Sequence, residues 1–274
     1  MIDLDEDPDR RRGVRSVARA LDILTAFSTA HPRLHLSQLA EAAGLPRPSA
    51  HRIAVTLVER GFLRQDPDGA YLLGIRLLEL GNQVSESSAL THLTQPAADE
   101  LARITGETVL VAEVDWSDCT LIITGKRPAA HPLAVSSPVG RRSVLGGGCI
   151  GKAALSGLPP ERVAEIVPRL RLTRRTPRAI VDHQELCAEV EVSRARGYAI
   201  ESGEYLVGVA GVAVPVTVDG RVAGALAVIG PASRFLRRQL DRTGQLVRQQ
   251  LTSASPGERR PVATAVEPEG WEHL

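Results

Sequence analysis

Apolar side chains recur with a helical period near the start of the chain. Val17, Ala20, Leu21, Leu24 and Phe27 stand at i, i+3, i+4, i+7 and i+10, which puts them on one helix face and predicts a buried stripe. A short helix follows from Ser37, whose hydroxyl is placed to cap it; Leu39, Ala40 and Ala43 are its apolar positions, and Gly44 stops it. A third helix begins almost at once, with Pro48 in its first turn, Ile53, Leu57 and Val58 facing inward, and Gly61 at its end. Residues 62–64 and 71–73 then flank Asp66, Pro67, Asp68 and Gly69, a hairpin turn signal. The order helix, helix, short turn, helix, hairpin over residues 14–74 reads as a winged helix-turn-helix.

From residue 75 to 89 an amphipathic helix carrying Ile75, Leu78, Leu80 and Val84 is read as a linker, and Pro96 marks the start of another helix that Gly106 ends. The period then becomes that of strands, at 108–114 and 120–124, and again at 207–218 and 222–229 around a turn at Asp219 and Gly220. Runs such as Val212, Ala213 and Val214 are too uniformly apolar for a sheet solvated on one face. The expected fold class is therefore α+β with two domains: the winged helix-turn-helix, the linker helix, and a domain at 90–252 whose antiparallel sheet is covered by helices. Residues 1–13 and 253–274, rich in charge or proline and without periodicity, are read as a disordered arm and tail.

Composition removes several classes. Thirty-three basic residues against 32 acidic ones leave a net charge of +1, so the whole-chain balance names no partner. Three cysteines at wide spacings support neither a disulfide framework nor a zinc site. A polar N-terminus and the lack of a long apolar run predict a cytoplasmic protein without membrane contact. The local charge differs: residues 14–76 carry eight arginines against five acids, or 8 − 5 = +3. Helices of this kind enter the major groove by their N-terminal end, where arginine pairs with guanine and hydroxyls reach phosphate. The expected DNA-binding residues are Ser37, Arg47, Pro48, Ser49, His51, Arg52 and, near the wing, Arg64. A protein-docking winged helix is the bland alternative.

Residues 16–81, from SVARALDIL to RLLELG, resemble the N-terminal domain of the IclR family of bacterial transcription regulators. GETVLVAEVD at 106–115, VGRR at 139–142, GKA at 151–153, RTPRAI at 175–180, the segment 194–216 and AVIGPASR at 227–234 continue the resemblance in the family's order. It implies a winged-helix reader of double-stranded operator DNA, a linker helix and a GAF-like effector-binding domain. It also implies a homodimer or dimer-based tetramer acting as repressor or activator. By the same resemblance the effector-binding residues are Gly147, Cys149, Ile150, Glu201, Gly211, Ala227 and Ile229. The chain departs from the family at Pro48, where a hydroxyl residue is usual, at 146–149, where the segment is Gly-Gly-Gly-Cys, and at Gly211, Ala227 and Ile229, which lack hydrogen-bonding side chains. Such a pocket is roomier and more apolar than one built for a very small oxoacid, suited to a small organic effector such as a larger organic carboxylate or an aromatic compound.

One competing motif needs weighing. Gly146 to Lys152 fits both G-x-G-x-x-G and G-x-x-x-x-G-K, which raises a nucleotide-binding enzyme as the alternative. Ala153 stands where a phosphate loop needs a hydroxyl for its metal ion, and no βαβ pattern surrounds the motif. Cys149, His131, His183, Glu201 and Glu204 form no recognisable catalytic spacing. No catalytic residue, cofactor or metal is expected, and the chain is read as a regulator rather than an enzyme.

Overall fold

A computed structural model describes residues 13–28, 30–135 and 137–254. The arm expected at 1–13 lies outside the described residues except for Gly13, and so does the tail beyond Ala254. The chain divides into two compact units between Ser87 and Ser88.

The first unit runs α1 (Arg15–Thr25), α2 (Leu36–Ala42), α3 (Arg47–Glu59), β1 (Leu63–Gln65), β2 (Tyr71–Leu73) and α4 (Arg76–Ser87). Strands β1 and β2 pair antiparallel, and Tyr71 also bridges to Leu34. Gly69 takes φ +81, and the Asp66 carboxylate accepts the N–H groups of Asp68 and Ala70, closing the wing as its sequence requires. The core gathers Ile23, Leu39, Ala50, Ala54, Leu57, Leu63 and Tyr71.

Two expectations change here. The stripe on α1 is split: Ala20, Leu24 and Phe27 pack on the core, but Val17 and Leu21 are more than half exposed. The helical period identifies an apolar face without saying which neighbour covers it. Ser37 is not the cap of α2, because the helix starts at Leu36 and extended His35 precedes it, its N–H donating to Gln38 Oε1 at 2.8 Å.

The second unit comprises α5 (Ala89–Thr105), β3 (Thr108–Asp115), β4 (Thr120–Arg127), β5 (Arg142–Val144), α6 (Gly148–Ser156), α7 (Pro160–Ile166), α8 (His183–Arg196), β6 (Ala199–Ser202), β7 (Val209–Val218), β8 (Arg221–Pro231) and α9 (Arg237–Ala254). Pro96 lies inside α5 rather than at its start; Ser88 caps this helix by accepting from Thr91 N–H, and Gly106 in the left-handed region ends it. Helix α9 also carries Ser253, placed above in the tail, to the end of its last turn.

Six strands form one antiparallel sheet in the order β5-β4-β3-β8-β7-β6. Alternation sorts its residues: Val109, Val111, Val212, Val214, Leu226 and Val228 share a core with residues of α5 and α9. Leu110, Ala112, Ala213, Ala225, Ala227 and Ile229 share another with Cys149 and Ala153 of α6. Both faces are covered, which is why these strands read as continuous apolar runs. The α6 side is rich in alanine, so the helix sits close to the sheet.

Candidate DNA interface and effector pocket

Helix α3 buries Ala50, Ala54 and Leu57 at i, i+4 and i+7 with Ile53 packed beside them, so His51, Arg52, Val55 and Thr56 turn outward. Arg47, Pro48, His51 and Arg52 are exposed, Ser49 is half-buried, and Arg64 on β1 and Ser37 on α2 are exposed as well. Pro46 precedes the helix as its N-cap, and Pro48 occupies a first-turn position whose missing N–H costs nothing. No carboxylate among the described residues pairs with Arg47, Arg52 or Arg64, whereas Arg33 is held by Asp66 and Asp68 of the wing. A groove between α1 and α3, lined by Arg15, Arg19, Ser49 and Arg52, widens the basic face. Arg15 and Arg19, which add to the local positive charge, are not among the expected contacts; the fold brings them beside α3.

In the second unit a cavity of about 70 Å³ opens between the sheet and the start of α6. Five of the seven expected effector residues line it: Gly147, Cys149, Ile150, Glu201 and Ile229. Gly211 and Ala227 do not; both belong to the buried strands β7 and β8, where a Cβ on Gly211 would come within 2.7 Å of Ile229. Leu110, Ile123, Val135, Arg141 and Tyr205 complete much of the wall without having been singled out. Arg141 and Tyr205 stand inside the VGRR motif and the segment 194–216, which the sequence marks without assigning either residue a role.

Glu201 is the buried polar group of this cavity. Its Oε2 accepts the Tyr205 N–H at 3.1 Å, and the Cys149 thiol donates to Oε1 at 3.8 Å. Burial, with the nearby Glu204 charge, pushes its carboxyl up to about 7, and burial pushes the Cys149 thiol well up. The segment after Glu201 is tied down on both sides. Lys152, 1% exposed, donates to Glu204 at 2.7 Å and lies 3.6 Å from Glu189, while Thr176 Oγ1 donates to the carbonyls of Gly203 and Glu204. Tyr205 is flanked by the guanidinium groups of Arg141 and Arg175, at 5.5 and 5.0 Å from its ring centre.

These contacts explain the glycine motif without a nucleotide. A Cβ on Gly151 would fall 1.7 Å from the Leu145 carbonyl oxygen, and one on Gly148, at φ +66, would fall 3.0 Å from Glu201 Oε2. The glycines make room for protein groups, Lys152 is taken up by carboxylates, and β5 ahead of the motif is a short antiparallel edge strand. The nucleotide-enzyme alternative has no support.

Comparison with known proteins agrees with both units. The family described as "IclR helix-turn-helix domain" matches residues 16–67, and "Bacterial transcriptional regulator IclR C-terminal" matches residues 82–255, well over half of the chain. The Transcriptional repressor IclR of Escherichia coli is 28% identical over 236 residues, covering 85% of this chain and 86% of that protein. The HTH-type transcriptional regulator KipR of Bacillus subtilis is 29% identical, covering 82% and 90%. The crystal structure of an IclR homolog from Microbacterium hydrocarbonoxydans, complexed with 4-hydroxybenzoate, has the same fold, with a TM-score of 0.74 at 24% identity and coverage of 87% and 97%. With a winged reader in its first unit, a helix-covered sheet in its second and family matches across both, the chain belongs to the IclR family and is a DNA-binding transcriptional regulator, not an enzyme.

Proposed function

We propose that the chain reads operator DNA through the N-terminal half of α3. Arg47, Ser49, His51 and Arg52 are placed to meet base edges, while Ser37, Pro48 and Arg64 lie against the sugar-phosphate backbone. The observation that carries this reading is the outward, carboxylate-free presentation of Arg47 and Arg52 on a helix anchored by Ala50, Ala54 and Leu57. The protein works in the cytoplasm, where its operator is; among the described residues no helix is long and apolar enough to cross a membrane.

The active species is a homodimer or a pair of dimers. Val17 and Leu21 on α1, and Leu78, Leu80 and Val84 on α4, are exposed apolar residues, and α4 buries none of its own. Such faces call for a partner, and two-fold pairing matches a pseudo-palindromic operator. The cavity beside Glu201 is the effector site, with Gly147, Cys149, Ile150 and Ile229 in its wall; Gly211 and Ala227 shape it from the strands behind. A small organic carboxylate suits it, and the Microbacterium homolog is complexed with 4-hydroxybenzoate, a carboxylate of that size. The Escherichia coli relative is a repressor, which favours repression as the output. Effector control needs the ligand to prefer one of two DNA-reading states by ~1–3 kcal/mol, transmitted through α4.

The test is gel retention of the DNA upstream of the protein's own gene, with unrelated DNA as competitor. Retention that survives excess competitor supports the proposal. A folded dimer that retains neither DNA overturns it in favour of protein docking.

A further inference from the structure

We propose that the effector pocket takes a bifunctional ligand, with an anionic group at Arg141 on its rim and a hydroxyl or amine that donates a hydrogen bond to Glu201 at its buried end. The proposal rests on the reading of this cavity as the effector site.

A carboxylate has room for about four hydrogen bonds. Glu201 receives one from the Tyr205 N–H and one from the thiol of Cys149, which is a weak donor. The nearest lysine gives it none, since Lys152 is engaged by Glu204 and approached by Glu189. The buried end of the pocket therefore offers an acceptor short of donors, a costly state that a ligand donor relieves.

The usual place for a ligand anion is closed. The N-terminus of α6 would ordinarily attract one, but Glu201 already lies against Gly148 in the first turn. An anion brought there would meet a like charge. Arg141 at the rim is exposed, stacks over Tyr205 and has no carboxylate partner among the described residues; unlike Arg175 on the other side of that ring it lines this cavity, which makes it the cation placed for an anionic ligand group. Between these ends Leu110, Ile123, Val135 and Ile229 are apolar. A cavity of about 70 Å³ has room for several waters at ~10–15 Å³ each, which fits one ring or a short chain.

The experiment is calorimetric titration of the full chain at pH 8 with the matched probes 4-hydroxyphenylacetate and phenylacetate. The hydroxylated probe should bind about tenfold tighter or more, the usual worth of a hydrogen bond to a charged group. Glu201→Met should remove that preference, and Glu201→Gln, which keeps an acceptor, should retain part of it. Arg141→Ala should weaken both probes equally. At pH 6 the preference should narrow, because Glu201, facing Cys149 and Lys152 from α6 and Glu204 and Tyr205 from its own segment, takes up a proton and ceases to be a pure acceptor. Equal or tighter binding of phenylacetate overturns the proposal, as does a preference that survives Glu201→Met or binding of neither probe by folded protein. DNA retention, measured without any probe, reports separately on the regulator reading.

Discussion

Glu201 and Lys152 are buried charges with opposite circumstances. Lys152 has two carboxylates and is satisfied; Glu201 has one backbone N–H and a thiol. The acid's folded value, near 7, lies above its ordinary 4.5, so the native state holds a proton that the unfolded chain has released between those pH values. Stability from this group is complete below about pH 4.5 and is lost as pH rises through about 7. The difference is on the order of 3 kcal/mol. Urea unfolding at pH 5 and pH 8 should show Glu201→Gln gaining on the parent protein at the higher pH; an identical pH slope for both would contradict the assignment. Lys152→Ala should cost roughly 3–5 kcal/mol by the same measurement, because it strands Glu204 without its cation. Were the lysine a nucleotide ligand instead, its loss would leave stability nearly unchanged.

At the scale of elements, the helices of the reader and the strands β3, β4, β7 and β8 were legible because their periods are 3.6 and 2 and their ends carry glycines with positive φ, such as Gly61 and Gly106. What escaped has physical causes. The face of α1 was expected to be buried because a period marks an apolar side but not its cover. Pro96 reads as a helix start because proline interrupts the hydrogen-bond ladder wherever it falls, and only packing shows that α5 continues through it. The glycines at 146–151 admit a close neighbour, and sequence alone does not say whether that neighbour is a phosphate or a carbonyl. Gly151→Ala should therefore destabilise the second unit by roughly 3 kcal/mol or more, since its Cβ would overlap the Leu145 carbonyl. A variant as stable as the parent in urea would show that the approach is not needed. Tyr205 and Arg141 went unassigned because neither lies in a periodic element; only the fold brings them to the pocket.

For the whole molecule, the family and the reader's architecture were carried by ordered motifs across both units, whereas assembly is read from surfaces left uncovered. If the proposed dimer pairs through α4, the parent protein should sediment as a dimer, and Leu78→Glu with Val84→Glu should sediment as a monomer and lose operator retention, while the isolated chain stays folded by circular dichroism. An unchanged dimer would place the interface elsewhere. The central claim, that the exposed start of α3 reads bases, is tested most directly by anisotropy titrations of labelled upstream DNA at several salt concentrations, for the parent protein and Arg52→Ala. Specific binding that weakens steeply with salt, and a loss of about 1–3 kcal/mol in the variant confined to the specific sequence, is the predicted result. Equal affinity of the two proteins for that DNA would contradict it.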